Sequence, residues 1–255
     1  MFPIIFRIGH FALHTYGLMA AVAVLTGLQV LLHVYRQSAE YNKSLEEALQ
    51  QMFLFSLLCG IIFARLFYVV VFWRYFAGNP LDILKIWQGG LIFYGGFLGA
   101  FLGLVGWNLH YKQFSLLKVL DWASPALAFG HALGRLGCFF AGCCYGKETK
   151  NSWGIVFTSP ESLAPQYVYL YPTQLFEMTF LLILGKFLLM RIKKYRQDPS
   201  YIAGKIFSEY LLIYALGRWG IELFRADPAW IFGWSAGQVA ALVVFVGAAI
   251  FRVML

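Results

Sequence analysis

The chain has 255 residues, 60% of them hydrophobic and 13% charged, with a formal net charge of +8. Soluble domains carry about 25% charged residues, and the mean hydropathy here is +0.68. A soluble globular protein, a disordered chain and a collagen-like fibre are therefore excluded. Lys and Arg gather at the ends of apolar runs and do not form a basic domain, which points to membrane topology and away from nucleic acid as a partner.

Apolar runs of about 20 residues, the length that crosses a bilayer, recur at 11–35, 50–76, 90–109, 117–137, 173–191, 203–224 and 232–252. The first is too long for the apolar core of a signal peptide and is followed by no small-residue cleavage site. The third carries Gly95, Gly99 and Gly103. That four-residue spacing lines one helix face with small residues and permits close packing; no strand precedes it and no lysine follows it as a phosphate loop requires. Between the fourth and fifth runs, residues 142–172 with Trp153, Tyr167, Tyr169 and Tyr171 read as a small ordered lid at headgroup level. The densest basic cluster, Arg191, Lys193, Lys194, Arg196 and Lys205, lies between the fifth and sixth runs. Placing it in the cytoplasm leaves the N-terminus outside, the C-terminus inside and the 142–172 segment external. The expectation is an all-α polytopic membrane protein of seven transmembrane helices, one integral-membrane domain over residues 1–255.

Ionisable groups inside spans are costly and mark function by default. Helical rise, counted from the expected span ends, puts Tyr16, Arg65, Tyr94, Arg135, Glu177 and Arg218 in the outer third of the membrane. In the sixth span Arg218, Glu222 and Arg225 recur at i, i+4 and i+7, one face of a helix. Stability alone gives no reason for three arginines at one level. The planar guanidinium fork suits phosphate oxygens, which at this depth belong to lipid headgroups. Glu209, in the cytoplasmic half, reads as structural. His14 and His131 are alternative bases, each read first as a hydrogen-bonded interior residue, and His10, His33 and His110 as interfacial ones. Cys138, Cys143 and Cys144 form C-x4-C-C downstream of His131. That spacing matches none of the usual tetrahedral zinc patterns, a disulfide stays open, and small buried residues at a helix–loop turn is the preferred reading. No metal and no cofactor is expected. A transporter is the competing class, but its path would carry polar residues through the full thickness, and no inverted repeat of broken helices is visible.

The segment Gly134-Arg135-Leu136-Gly137-Cys138-Phe139-Phe140-Ala141-Gly142-Cys143-Cys144-Tyr145-Gly146 resembles the signature of the bacterial prolipoprotein diacylglyceryl transferase family. So do Tyr16-Gly17-Leu18-Met19, Ala64-Arg65-Leu66-Phe67-Tyr68, Gly89 to Gly96, Pro172-Thr173-Gln174-Leu175-Phe176-Glu177 and Arg218 to Arg225. The resemblance implies transfer of the diacylglyceryl group of phosphatidylglycerol to the lipobox cysteine thiol in the signal peptide of a preprolipoprotein, with glycerol phosphate leaving. It implies a bacterial cytoplasmic membrane, contact with membrane lipids and an active site towards the outer leaflet. Arg135 and Arg218 correspond to the family's essential arginines, Tyr16 to its first-span tyrosine and Glu222 to its sixth-span glutamate. These residues and Tyr94 are the candidate catalytic set. Arg65, Gln174, Glu177 and Arg225 join Arg135, Arg218 and Tyr16 as candidate contacts for phosphatidylglycerol. Four positions depart from the family: its HGG motif reads Tyr94-Gly95-Gly96, its signature asparagine and glutamate are Cys138 and Cys143, and the histidine before the fifth-span proline is Tyr171. A paralogue with another acceptor is the alternative that these departures leave.

Overall fold

The computed structural model describes residues 2–9, 11–86, 89–195, 198 and 200–255; His10 and Arg196 lie outside the described residues. Long helices stand where the apolar runs predict them. They are α1 (Thr15–Arg36), α2 (Lys43–Val71), α4 (Phe93–Tyr111), α5 (Leu116–Ala141), α6 (Thr173–Tyr195), α7 (Lys205–Glu222) and α8 (Ala236–Met254), with a short α3 (Trp73–Phe76) following α2. Among the described residues α1, α2 and α8 are long and apolar enough, by length and composition, to cross a membrane.

Among the described residues three short antiparallel strand pairs accompany the helices: β1 (Ile4–Ile8) with β2 (Phe11–His14), β3 (Ile155–Val156) with β4 (Tyr169–Leu170), and β5 (Ala229–Ile231) with β6 (Trp234–Ser235). The first shortens the first expected span. Gly9 turns the chain at φ +56°, and Thr15 anchors the turn by donating from its N–H to the Pro3 carbonyl at 2.9 Å. The helix therefore starts at Thr15, and His14 is a strand residue opposite Ile4, outside the span assigned to it. The expected second span divides likewise. Asn42 caps α2 by accepting from the Ser44 N–H at 2.9 Å, as Asn does at helix starts, and Phe72 at φ −108°, ψ 32° separates α2 from α3.

The described chain forms two compact units, residues 35–116 and residues 1–34 with 117–255. In the smaller unit α2 and α4 meet along the glycine stripe. A Cβ on Gly99 would lie 2.4 Å from the Phe63 Cβ and 2.6 Å from the Cys59 carbonyl, closer than atoms can pack, so the stripe is a contact face as its spacing predicts.

In the larger unit α1 lies close on α5, where a Cβ at Gly130 would stand 3.2 Å from the Ala23 carbonyl oxygen. Leu184, Leu188, Tyr195, Ile206 and Tyr210 of α6 and α7 bury a cluster with Ala128 of α5. Glu209 takes the fork of Arg191 at 2.9 and 2.7 Å and lies 3.5 Å from Arg252, a structural role as expected. Sequence reasoning missed Asp121. Its buried carboxylate accepts from the Gly204 N–H at 2.6 Å, the Phe207 N–H at 2.7 Å and the Tyr201 hydroxyl, and so caps α7 from α5. Asp121→Ala leaves those donors unmet inside the protein, a cost of about 1–3 kcal/mol. The melting temperature of the detergent-solubilised protein should fall, with Asp121→Asn recovering part of the loss.

Candidate active site

The polar side chains of α5, α6 and α7 converge on one carboxylate. Glu177, 1% exposed, places Oε1 3.0 Å from Arg135 Nη2 and 3.6 Å from His131 Nε2, and Oε2 3.7 Å from Arg218 Nη1. Arg218 in turn pairs through Nη2 with Glu222 Oε2 at 2.5 Å, one helical turn along α7. Glu222 lies 3.5 Å from Arg225 Nε, and Arg225 holds Asp227 at 2.7 Å. The result is an alternating row, Arg135–Glu177–Arg218–Glu222–Arg225–Asp227, in which three guanidiniums face three carboxylates.

Each member is fixed from outside the row. Arg135 donates from Nε to His131 Nε2 at 3.2 Å, so that nitrogen accepts and His131 is neutral there. Glu222 sits at the N-terminus of α8. Ser235 caps this helix in a reciprocal capping box with Gln238 and donates from its hydroxyl to Glu222 Oε1 at 2.8 Å. A Cβ on Gly237 would fall 2.3 Å from that same oxygen, so only glycine lets the helix end come this close. Burial works against the charge of Arg225, but its hydrogen bonds to Asp227 hold the guanidinium pKa above its ordinary value. For Asp227 burial pushes upward, and the Arg225 hydrogen bonds carry the carboxyl below its usual range.

Arg218 Nη1 is buried, has no hydrogen-bond acceptor among the described residues, and at 3.7 Å from Glu177 is beyond hydrogen-bond reach. A buried donor without an acceptor is costly, and an anionic oxygen between Arg135 and Arg218 would satisfy it.

The loop after α5 closes one side. Gly142 at φ +75° and Cys144 at φ +60° turn the chain back on the last turn of α5. Gln174 Nε2 donates to the Cys143 carbonyl at 2.7 Å, Thr173 Oγ1 to the Cys144 carbonyl at 2.9 Å, and Arg225 Nη1 to the same carbonyl at 3.3 Å. The free thiols of Cys138, Cys143 and Cys144 are thereby gathered, with their Sγ atoms all within 4.8 Å of one another. Hydrogen bonds from its two neighbours lower the pKa of Cys144, and the same contacts raise that of Cys143. Beyond the loop, residues 147–172 carry the β3–β4 hairpin over a core of Phe157, Ala164 and Leu170, tied down by the Lys147 ammonium on the Leu223 carbonyl at 3.0 Å.

Of the residues singled out from sequence, Arg135, Arg218, Glu222, Glu177, Arg225, Gln174 and His131 come together in the larger unit. Their assignments shift with their contacts. Arg225 lies past the end of α7, so it shares no helical face with Arg218, and it binds Asp227 and a backbone carbonyl. Gln174 braces the cysteine loop. Glu177 is the counter-charge that aligns two arginines. Tyr16, on the first turn of α1, packs beside Gly137, with its Cδ2 3.4 Å from where a Cβ there would stand. His14 is exposed in its strand. Tyr94 and Arg65 belong to the smaller unit. Tyr94, on the first turn of α4, is 70% exposed. The Arg65 guanidinium donates to the carbonyls of Ile83, Gly89, Gly90 and Asp82 at 2.6–3.1 Å, so the fork expected on lipid phosphate holds the loop before α4.

Comparison with known proteins identifies relatives over nearly the whole chain. The family model for prolipoprotein diacylglyceryl transferase matches residues 3–254. A phosphatidylglycerol–prolipoprotein diacylglyceryl transferase of Dehalococcoides mccartyi is 34% identical over 95% of this chain and 89% of its own. One of Clostridium tetani is 34% identical over 89% of this chain and 87% of its own. One of Clostridium perfringens, named as a second such transferase, is 33% identical over 92% and 88%. With the arginine–glutamate row in place and the match running from end to end, the chain belongs to the prolipoprotein diacylglyceryl transferase family.

Proposed function

We propose that this protein transfers the diacylglyceryl group of phosphatidylglycerol to the lipobox cysteine thiol of a preprolipoprotein, the first step of lipoprotein maturation. The observation that carries the reading is the pair Arg135 and Arg218, held on either side of Glu177 with Arg218 Nη1 lacking an acceptor. The acceptor thiol gives its proton to water, and the sulfur attacks the diacylglyceryl carbon next to the phosphate. The C–O bond breaks, its electron pair leaves with glycerol phosphate, and negative charge grows on the phosphate oxygens. Guanidiniums fixed in advance in a water-poor site stabilise that charge, commonly the largest catalytic contribution. Glu177, Glu222 and Ser235 keep the guanidiniums aimed, and Tyr16 acts as a hydrogen-bond donor to the lipid or the incoming thiol. Purified protein given phosphatidylglycerol and a lipobox peptide should release glycerol phosphate and form a thioether-linked lipid. Release without peptide modification would assign the lipid donor to another acceptor.

The same proposal places all seven long helices across a bacterial cytoplasmic membrane as one integral domain, N-terminus outside, with the charge row near the outer leaflet and residues 142–172 as an external lid. The Lys/Arg bias supports it: Arg191, Lys193 and Lys194 lie at the end of α6 and Lys205 at the start of α7, where the positive-inside rule puts cytoplasm. In a chain whose native cysteines are replaced by serine, a cysteine at Asn151 should react with an impermeant thiol reagent applied outside, and one at Ser200 should not. Reversed labelling overturns the orientation.

A further inference from the structure

The three thiols beside the charge row have no task in the chemistry described so far. We propose that Cys138, Cys143 and Cys144 form a three-thiolate site for one zinc-class divalent cation whose fourth coordination position takes the acceptor thiol. The inference rests on the transferase reading only for the identity of that fourth ligand.

Geometry comes first. Zinc–thiolate bonds of about 2.3 Å set tetrahedral sulfur separations of about 3.8 Å. The Sγ atoms here lie within 4.8 Å of one another, at most about 1 Å wider than that spacing. The sequence spacing alone hides this. Gly142 and Cys144 both adopt left-handed backbone, which folds C-x4-C-C back on itself so that three sulfurs from a helix end and a turn meet. Glycine would accept the conformation of residue 144 more readily than any residue with a Cβ, so the side chain at 144 is carried there for its sulfur. The carbonyls of Cys143 and Cys144 are pinned by Gln174, Thr173 and Arg225, so the loop is braced before any ion arrives. Cys143 and Cys144 keep partial solvent access while Cys138 is buried, which gives an ion and a fourth ligand a way in.

Chemistry comes second. Thiolates select soft cations, and three protein ligands with one open position is the catalytic pattern for zinc, where closed four-ligand sites are structural. Three thiolates with a divalent cation leave one negative charge and a fourth thiolate leaves two; Arg135 and Arg225 act electrostatically on Cys144 and offset it. A thiol that binds the cation gives its proton to water and becomes a thiolate outright. That is the nucleophile the reaction needs, and it requires no side-chain base. The need is real here: His131 has its Nε2 lone pair engaged by Arg135, and Tyr94 stands where the HGG histidine is expected. The bound sulfur then donates its electron pair to the diacylglyceryl carbon, the carbon–oxygen bond to phosphate breaks, and glycerol phosphate departs against Arg135 and Arg218. The product thioether is a weak ligand and leaves. The cation keeps its oxidation state throughout.

The test uses the full-length protein, reduced and stripped of metal. Titration with Cd²⁺ should produce an ultraviolet thiolate-to-cadmium band that saturates at one equivalent. Cys143→Ser and Cys144→Ser should each weaken binding by about a hundredfold. In the Co²⁺-loaded protein a lipobox peptide should strengthen the sulfur-to-cobalt absorption by one thiolate, and its Cys→Ser analogue should not. The site is overturned if no saturable band forms, or if thiol counting after reduction and stripping still finds two of the three cysteines consumed as a disulfide. The fourth-ligand role is overturned if the metal-free protein matches the loaded protein in glycerol phosphate release, an outcome that leaves the transferase reading standing. Peptide binding to the cobalt with no release of glycerol phosphate in any loading supports the site and overturns the transferase reading.

Discussion

Arg218→Ala should lose about 10²–10³-fold or more in turnover of phosphatidylglycerol, the scale of removing a preorganised charge stabiliser, while the protein still folds. The alternating row explains why the two effects separate. Without Arg218, Glu177 still faces Arg135 at 3.0 Å, and Glu222 still has Arg225 at 3.5 Å and the Ser235 hydroxyl. No carboxylate is left alone in the interior. Arg218→Lys restores the charge without the planar fork and should recover little of the rate. Glycerol phosphate release, read beside the melting temperature of each variant, checks the argument. Full activity in Arg218→Lys would replace two-point phosphate contact with a diffuse electrostatic role, and loss of folded Arg218→Ala would make the row purely structural.

Glu177→Ala should behave in the opposite way and fail mainly in stability. Its carboxylate lies between Arg135 and Arg218, whose side chains are each 14% exposed. Breaking a buried ion pair from one side costs about 3–5 kcal/mol; here Arg218 keeps Glu222, whereas Arg135 loses the carboxylate it faces and keeps the neutral His131. Glu177→Gln keeps the volume and two hydrogen-bonding atoms and should fall between the extremes. The decisive measurement is a double-mutant cycle: Arg135→Ala placed on Glu177→Ala should recover stability, since it removes one stranded charge. If the two losses simply add, Glu177 does not serve as the common counter-charge.

The balance of the row also changes what its arginines mean. Read from sequence, the arginines at one level are Arg65, Arg135 and Arg218, taken as ligands of phosphate. In the folded protein Glu177, Glu222 and Asp227 match Arg135, Arg218 and Arg225 one for one. Recognition of a phosphate then depends on where the N–H groups point more than on net charge.

The helices and the charged residues within them were legible because both follow from one cost, that of placing polar groups in hydrocarbon. Apolar runs give the helices, and each charge left inside one stands out as Arg135, Glu177, Arg218 and Glu222 do. What that rule does not supply is a partner. It marks Arg65 and Arg225 equally with Arg218, although backbone carbonyls satisfy the first and Asp227 the second. The hairpin before α1 was hidden because residues 4–14 are nearly as apolar as the helix they precede, and one glycine turn is a weak signal inside such a run. The thiol cluster was hidden because two left-handed residues, invisible in the spacing, bring it together.

Asp121 has a consequence for how the protein is made. Its carboxylate waits in α5 for amide groups 83 and 86 residues further along the chain. At about 5–20 residues per second, a ribosome needs roughly 4–17 s to supply them. During that interval a carboxylate destined for burial has no partner of its own, and α7 cannot be capped until it emerges and meets a helix already inserted. Assembly of the larger unit therefore carries a built-in order: α5 must hold its place, near water or in the care of the insertion machinery, until the start of α7 arrives. A nascent chain arrested before residue 204 should keep Asp121 accessible to solvent, and release of the arrest should bury it.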